Sequence, residues 1–444
     1  MRIVIAGAGE VGCHLAKLLS REKQEITVID EQESRLVFLD ANYNLLTITG
    51  SPISFDIQKK AGVAKCDLFI AVTPSETSNI LACTMARSFG ARKAVARIDN
   101  YEFMNGSHQD FFNNLGINSL MYPEYLAAAE IIKALQRNWV RFWFEIHGGE
   151  LMVVGVKIRD NAPLAGMKLR DLSMAEHYFH VSAIKRDKET IIPRGDDYIR
   201  PNDIVYFTTT ADSIEDLREI CGKTKYELKR IVIVGGSHIA EQVAIMAGDR
   251  FEVKIIESDL TRCQRLAEIC PDAEIINSDG RNVDTLLEEG IDYTDAFISL
   301  TDSSETNILT SLSAKEFGVK KTIAEVEDLQ FVSLAESLNI GTIINKKLLL
   351  SGCILQAMID ADVESSKFMA LADADVAEIE VRPGARATKA KVKDLGLSHD
   401  ITIAGLLRDG KGMLVRGDSH IAAGDHVVVI FLNSAMSKVE KLFI

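Results

Sequence analysis

The chain repeats itself. Gly7 and Gly235, Asp67 and Asp295, Thr73 and Thr301, Asn79 and Asn307, and Gly90 and Gly318 are identical pairs at one offset (235 − 7 = 228). Five identities at a single offset mark an internal duplication, so the chain must fold as two copies of one unit. The register survives a compensated one-residue shift around Asp30 and Glu257. Each copy opens with short apolar runs that carry no polar alternation and are separated by helical patterns. In the first copy these are RIVIAG, EITVID, LLTITG, DLFIAVT and KAVARID; in the second they are KRIVIVGG, FEVKIIE, AEIINSD, DAFISLT and KTIAEVE. Runs of that kind are strands buried on both faces of a parallel sheet.

A second, shorter repeat follows each series. PRGDDYIRPNDIVYF (193–207) matches VRGDSHIAAGDHVVVIF (415–431), with Arg194-Gly195-Asp196 on Arg416-Gly417-Asp418 and Asp203 on Asp425. Its short strands, turns and single helix (213–221 and 435–442) describe a small α/β or mostly β module of about 80 residues. The fold class is therefore α/β: two Rossmann-like doubly wound parallel sheets, each followed by a small domain. The expected limits are 1–140, 141–225, 228–365 and 366–444. Between large and small domains lie amphipathic stretches, 125–139 and 347–360, with apolar residues three and four apart. Each reads either as a helix packed on its own domain or as an arm that crosses to a partner subunit.

Gly7, Gly9 and Gly12, in GAGEVG, stand directly after the first strand and at the opening of a helix expected over about 11–21. Gly7 permits the tight turn, Gly9 lets backbone approach a pyrophosphate, and Gly12 lets helix and strand pack closely. Asp30 ends the second strand, 18 residues past Gly12 (30 − 12 = 18), where it can accept hydrogen bonds from a ribose diol. An acid at that position repels a 2′-phosphate, so NAD(H) or an adenine nucleotide, ATP or ADP, is favoured over NADP. Ligands of open parallel sheets bind at the carboxyl ends of the strands. That places Gly50 and Ser51, Thr73, Asn79 and Arg97 among the contacts, with Arg97 facing a phosphate or, alternatively, Asp30 or a neighbouring helix.

The second copy departs from this pattern. GGSHIA keeps Gly235 but sets Ser237 and Ala240 where Gly9 and Gly12 stood, and Glu325 replaces Arg97. Glu257 still offers a ribose acceptor, Asp279 stands where Ser51 does, and Thr301 repeats Thr73. Binding there is expected to be weaker, different or absent.

Other chemistries find little support. A dehydrogenase needs a domain that holds substrate against the nicotinamide and supplies an acid or base, and here the domain after each Rossmann sheet is the same small repeat. The nine histidines do not recur at matched positions. His14 and His238 read as helix or loop residues, and His177 with His180 lacks a third metal ligand. The chain reads as a non-enzyme with no catalytic residue. The net charge of −14 argues against nucleic acid, whose binding draws on clustered Lys and Arg. Seven cysteines without a CxxC pair read as reduced core thiols. A start that runs straight into a strand, with no membrane-length apolar run, reads as a cytoplasmic protein.

With those residues in hand, the chain resembles the TrkA proteins, a duplicated, potassium-conductance-regulating (RCK) family of bacterial Trk uptake systems. The resemblance rests on IVIAGAGEVGCHLA, on VIDEQESRL with Asp30 and Arg35, on DLFIAVTPSETSNILAC, on ARID with Arg97, and on the duplicated large-small order. It implies NAD(H) or ATP and ADP binding at Gly7, Gly9, Gly12, Asp30, Ser51, Thr73 and Arg97. It also implies a homo-oligomeric ring, a dimer or tetramer, on the cytoplasmic face of a membrane-embedded TrkH-like pore. A stand-alone NAD-dependent oxidoreductase, or a nucleotide sensor for another transporter, is the alternative.

Overall fold

The computed structural model describes residues 1–20, 24–172, 179–187, 189–224, 226–359, 366–371, 374–432 and 435–443. Its first half runs β1 (Arg2–Ala6), α1 (Glu10–Leu19), β2 (Glu25–Asp30), α2 (Glu33–Asn42), β3 (Leu46–Thr49), α3 (Phe55–Lys60), β4 (Leu68–Ala71), α4 (Glu76–Phe89), β5 (Lys93–Arg97), α5 (Gln109–Asn114), β6 (Ser119–Met121) and α6 (Pro123–Gln136). A small domain follows with β7 (Phe142–Ile146), β8 (Leu151–Lys157), α7 (Leu169–Leu172), β9 (Phe179–Arg186), β10 (Glu189–Ile191), β11 (Ile204–Thr209) and α8 (Ile214–Ile220). The second half repeats the series: β12 (Arg230–Val234), α9 (His238–Ala247), β13 (Glu252–Glu257), α10 (Leu260–Ile269), β14 (Glu274–Asn277), α11 (Val283–Glu288), β15 (Ala296–Ser299), α12 (Ser304–Glu316), β16 (Lys321–Glu325), α13 (Leu329–Ser337), β17 (Thr342–Ile344) and α14 (Lys346–Ile359). It ends with β18 (Ser366–Leu371), β19 (Ala374–Glu380), β20 (Ile401–Arg408), β21 (Lys411–Leu414), β22 (His426–Leu432) and α15 (Met436–Phe443).

These elements gather into two compact units, residues 1–136 with 228–361, and 137–227 with 362–444. The first unit holds both parallel sheets. Their strand orders are β3-β2-β1-β4-β5-β6 and β14-β13-β12-β15-β16-β17, the doubly wound order in which the chain reverses direction between β1 and β4. The central strands are buried along their length, as in LFIA and AFIS, which is why they carry no polar alternation.

The duplication extends to individual bonds. Asp67 accepts the Arg2 N–H at 2.8 Å, and Asp295 accepts the Arg230 N–H at 3.1 Å. Ser75 caps α4 by accepting from Ser78 N at 3.2 Å, and Ser303 caps α12 from Thr306 N at 3.1 Å. Gly90 ends α4 in the left-handed region at φ 114°, where a side chain is costly, and Gly318 repeats it at φ 86°.

The amphipathic stretches 125–139 and 347–360 are the helices α6 and α14, and both cross between the halves of the same chain. α6 packs on α9 of the second half, and α14 packs on α1 of the first. Leu350 and Ile354 of α14 are fully buried in the first half's core beside Leu15 and Leu19. Neither sequence reading, own-domain packing or an arm to another subunit, foresaw a crossing within one chain. Residue 360 lies outside the described residues.

The second unit holds two antiparallel sheets, β10-β9-β11-β8-β7 and β18-β19-β22-β20-β21. One core is shared between them, with Ile146, Val153 and Tyr206 of the first sheet packed with Val376, Val428 and Ile430 of the second. The aligned acids of the small repeat have one job. Asp203 is gripped by Nε and Nη2 of Arg186 at 2.9 and 2.7 Å, and Asp425 by Nε and Nη2 of Arg408 at 2.8 and 2.7 Å. Each pair also caps a turn, because Asp203 accepts Arg200 N and Asp425 accepts Ala422 N. Planar two-bond pairing of this kind fixes geometry as well as energy.

Candidate functional site

The first parallel sheet aligns the sequence-selected residues along its carboxyl edge. Ser51 follows β3, Asp30 ends β2, Gly7 follows β1, Thr73 follows β4 and Arg97 ends β5, a row in the spatial order of the strands. Gly7 turns at φ 108°, and a Cβ there would meet the Val72–Thr73 backbone at 3.0 Å. At Gly12 a Cβ would lie 1.8 Å from the Gly7 carbonyl oxygen, so helix and strand approach too closely for any side chain. At Gly9 a Cβ would meet nothing within 4 Å. The loop therefore closes tightly at both ends and leaves open room over its middle, where α1 presents its first N–H groups.

Asp30 is 7% exposed and holds the loop. Its Oδ2 accepts Ala8 N at 2.6 Å and its Oδ1 accepts Gln32 N at 2.8 Å. A carboxylate has about four acceptor positions, so two remain for other donors. Arg35 Nη1 stands 3.7 Å from Oδ2. Arg97 pairs with Asp99 at 3.0 Å, through Nη2, rather than with Asp30 or a neighbouring helix, and its buried Nε has no hydrogen-bond partner among the described residues.

One assignment needs correction. Asn79 is fully buried and its amide is spent within the protein. Its Oδ1 accepts Thr73 N at 2.9 Å and Thr73 Oγ1 at 2.6 Å, while its Nδ2 donates to Thr73 O at 2.9 Å and Arg97 O at 3.0 Å. All its hydrogen-bonding capacity is used, so it fixes the ends of β4 and β5 and positions Thr73. Asn307 does the same for Thr301 and Glu325. Gly50, at φ 155°, donates to Asp30 O at 2.9 Å, and a Cβ there would clash with Ile57 at 2.5 Å. It is a close-packing glycine that sets Ser51 at the strand end.

The second crevice keeps the frame and changes its lining. Gly235 turns at φ 101°, and Glu257 Oε2 accepts Gly236 N at 2.6 Å as Asp30 accepts Ala8. Arg262 Nη1 stands 3.9 Å from Glu257, repeating Arg35. Ser237, however, caps α9 by accepting Ala240 N, so a side chain occupies the donor that Gly9 leaves free. Asp279 faces Arg281, bonded at 2.9 and 2.8 Å. A cavity of about 190 Å³ remains here, lined among others by Glu124, Ser237, His238, Arg262, Arg265 and Lys346.

Sequence reasoning missed the charges that the crossing helices bring. Lys346 Nζ lies 2.6 Å from Glu327, 3.2 Å from Glu325 and 3.8 Å from Glu124. Burial pushes the Glu325 carboxyl up to about 7; Lys346 opposes the shift, and the charges of Glu327 and Glu124 add to it. Glu325 in the folded chain thus holds a proton that the unfolded chain releases from about pH 4.5, and its share of stability falls as pH rises towards 7. Glu325→Gln is expected to gain stability relative to the parent as pH goes from 5 to 8. Thermal melts across that range check it, and a difference that does not change with pH contradicts it.

His180, the other half of the candidate histidine pair, is partly buried in β9 with Nε2 3.1 Å from Thr402 Oγ1, and desolvation lowers its pKa to about 4. His177 lies outside the described residues. Five of the seven cysteines are buried and Cys13 and Cys353 partly so. Among the described residues, no helix is long and apolar enough to cross a membrane.

Comparison with known proteins places this architecture. The TrkA-N domain model matches residues 3–123 and 231–346, and the TrkA-C domain model matches 153–222 and 376–444. The chain is 29% identical over 453 residues to the Trk system potassium uptake protein TrkA of Haemophilus influenzae, covering 100% of this chain and 98% of that one. It is 29% identical over 452 residues to TrkA homolog 1 of Methanosarcina mazei, covering both chains fully. Among solved structures it superposes on the GsuK RCK domain with a TM-score of 0.62 at 15% identity, covering 100% of this chain and 94% of that one. The GsuK channel bound to NAD gives a TM-score of 0.62 at 15% identity, over 100% of this chain and 78% of that one.

Proposed function

The chain belongs to the TrkA family, and from that premise we propose that it is the nucleotide-binding regulatory subunit of a potassium uptake system. In this reading it works at the cytoplasmic face of the membrane, assembled as a homo-oligomeric ring on a TrkH-like pore, and catalyses nothing itself. The observation that carries the reading is the first crevice: a glycine loop with open room at Gly9, a buried carboxylate with acceptor positions to spare, and a buried Arg97 Nε without a partner among the described residues. Curated relatives that span the whole chain are named for potassium uptake, and a structure with the same fold was solved as a channel bound to NAD. The limits 1–140, 141–225, 228–365 and 366–444 are part of the proposal.

The residues fit NAD(H) or an adenine nucleotide. The N–H groups at Gly9 and the start of α1 would meet the phosphates, and Arg97 Nε would add a charge-assisted bond. Asp30 would take the ribose hydroxyls, with Arg35 beside it, while Ser51 and Thr73 close the sides. When bound, the nucleotide supplies charge and contacts, and no bond is made or broken. The second crevice, framed by Gly235, Glu257, Asp279 and Thr301, binds more weakly because Ser237 fills the loop and Glu325 supplies no cation where Arg97 stands in the first.

A nucleotide that contacts two ring conformations unequally shifts their populations by that difference alone. A tenfold preference is worth about 1.4 kcal/mol at each site, and identical sites in a ring multiply it. The test is potassium flux through a reconstituted Trk-type pore, with the chain and each of NADH, NAD, ATP and ADP added in turn. Flux that responds to a nucleotide only when the chain is present supports the reading. Flux indifferent to every combination rejects it.

A further inference from the structure

Two consecutive lysines at the start of α14 join the two halves of the first unit, but only the second reaches the first glycine loop. Lys346 sits in the cluster of Glu325 and Glu327 from its own half and Glu124 from the first. Lys347 reaches across: its Nζ lies 2.5 Å from Glu10 Oε2 and donates to Glu327 O at 3.1 Å. Glu10 is the first residue of α1, next to Gly9, so this ammonium stands beside the mouth of the first glycine loop. Lys347 is confined, with its side chain only 15% exposed, whereas its carboxylate partner is 75% exposed and free to swing into solvent.

The duplication supplies a control. β17 and β6 are related by an offset of 223, the offset of Thr342 from Ser119, and the same offset carries Glu124 onto Lys347. Glu124 lines the second crevice together with Gly236, Ser237 and His238. The second position of each crossing helix therefore faces the glycine loop of the opposite half. The first crevice receives a lysine there and the second receives a glutamate.

We propose that Lys347, carried on the helix that crosses from the second half, is a phosphate-binding residue of the first crevice, with the Glu10 carboxylate holding the phosphate's place until a nucleotide arrives. The chemistry recognised is the phosphate or pyrophosphate of a nucleotide, not its base. An arriving phosphate displaces Glu10, and Lys347 exchanges one anion for another without leaving its confined position. Ordering a lysine costs side-chain entropy; here that cost is met in folding, so binding gains from a charge already in place. The inference deepens the nucleotide-sensor reading and rests on it. It makes the first crevice a site of both halves, since Lys347 joins Arg97 as a cationic partner of the ligand and lies beyond residue 340 of the chain.

Calorimetric titration of the full chain with ADP and with adenosine tests it, using the parent, Lys347→Met, Lys347→Arg and Glu10→Gln. Lys347→Met is expected to weaken ADP about tenfold and leave adenosine unchanged, with Lys347→Arg close to the parent. Glu10→Gln, on an exposed side chain that folding does not require, is expected to tighten ADP several-fold by removing the competing anion. Lys347→Met binding ADP as the parent does, or Glu10→Gln leaving ADP unaltered, overturns the inference while the sensor reading stands. A parent that binds neither ADP nor any other nucleotide removes both together.

Discussion

Gly9→Leu is expected to abolish nucleotide binding at the first crevice while leaving the fold intact. The two effects separate because of what surrounds the position. A Cβ at residue 9 meets no atom within 4 Å, and the second half already carries a side chain there, Ser237, at the start of a well-formed α9. Stability should change by no more than about 0.5 kcal/mol, as for an unencumbered surface site. Binding should fall at least about 100-fold, roughly 2.7 kcal/mol, because the leucine occupies the space through which a phosphate reaches the loop N–H groups, and each charge-assisted bond lost is worth about 1.5–3 kcal/mol. The contrast is Gly12, where any Cβ falls 1.8 Å from the Gly7 oxygen and substitution should cost stability itself. Melting curves with a nucleotide titration distinguish the two. A Gly9→Leu protein that binds as tightly as the parent makes the loop structural only.

Leu350→Ala should destabilise the half of the chain from which residue 350 is most distant in sequence. The side chain is fully buried among residues 3 to 121 of the first half. Cutting a leucine to alanine in such a core costs about 2–5 kcal/mol, and for a unit of this size about 3 kcal/mol lowers the melting midpoint by roughly 6–12 °C. Because α14 seats on α1, the glycine-loop helix, nucleotide affinity should fall with it. Hydrogen exchange read on β1 and α1 locates the effect. Faster exchange confined to residues 228 to 359, with 1 to 121 unaltered, would falsify the crossed packing of α14.

The crossing also marks where sequence reading stopped. The duplication, the parallel strands, the glycine loop and Asp30 were legible because each is a local signal: a period, a run of β-branched residues, a spacing. The turn at Gly7 and the close approach at Gly12 followed from residue chemistry alone. The helix expected over 11–21 runs from Glu10 to Leu19, an ordinary shift of a helix end. Asn79 was misjudged because a polar residue near a strand end reads alike whether it faces a ligand or the backbone. Only the structure shows all four of its bonds closed within the protein. The Arg97–Asp99 pair lies two residues apart on one strand end, yet no spacing rule separates it from a pair with Asp30. Lys346, Lys347 and Glu124 carried no signal, since their surroundings are assembled from segments more than 200 residues apart in sequence. The amphipathic pattern of α6 and α14 showed that each has an apolar face but not which core receives it.

The central claim is that one half senses nucleotide and the other frames it, and the stoichiometry of binding tests this most directly. Calorimetric titration of the purified full chain with NADH and with ADP should give one strong site per chain, lost in Gly9→Leu and kept when Ser237 in the second loop is made alanine. Two equal sites per chain, or a single site that survives Gly9→Leu and disappears with the Ser237 change, would contradict the account and place the sensor in the second crevice.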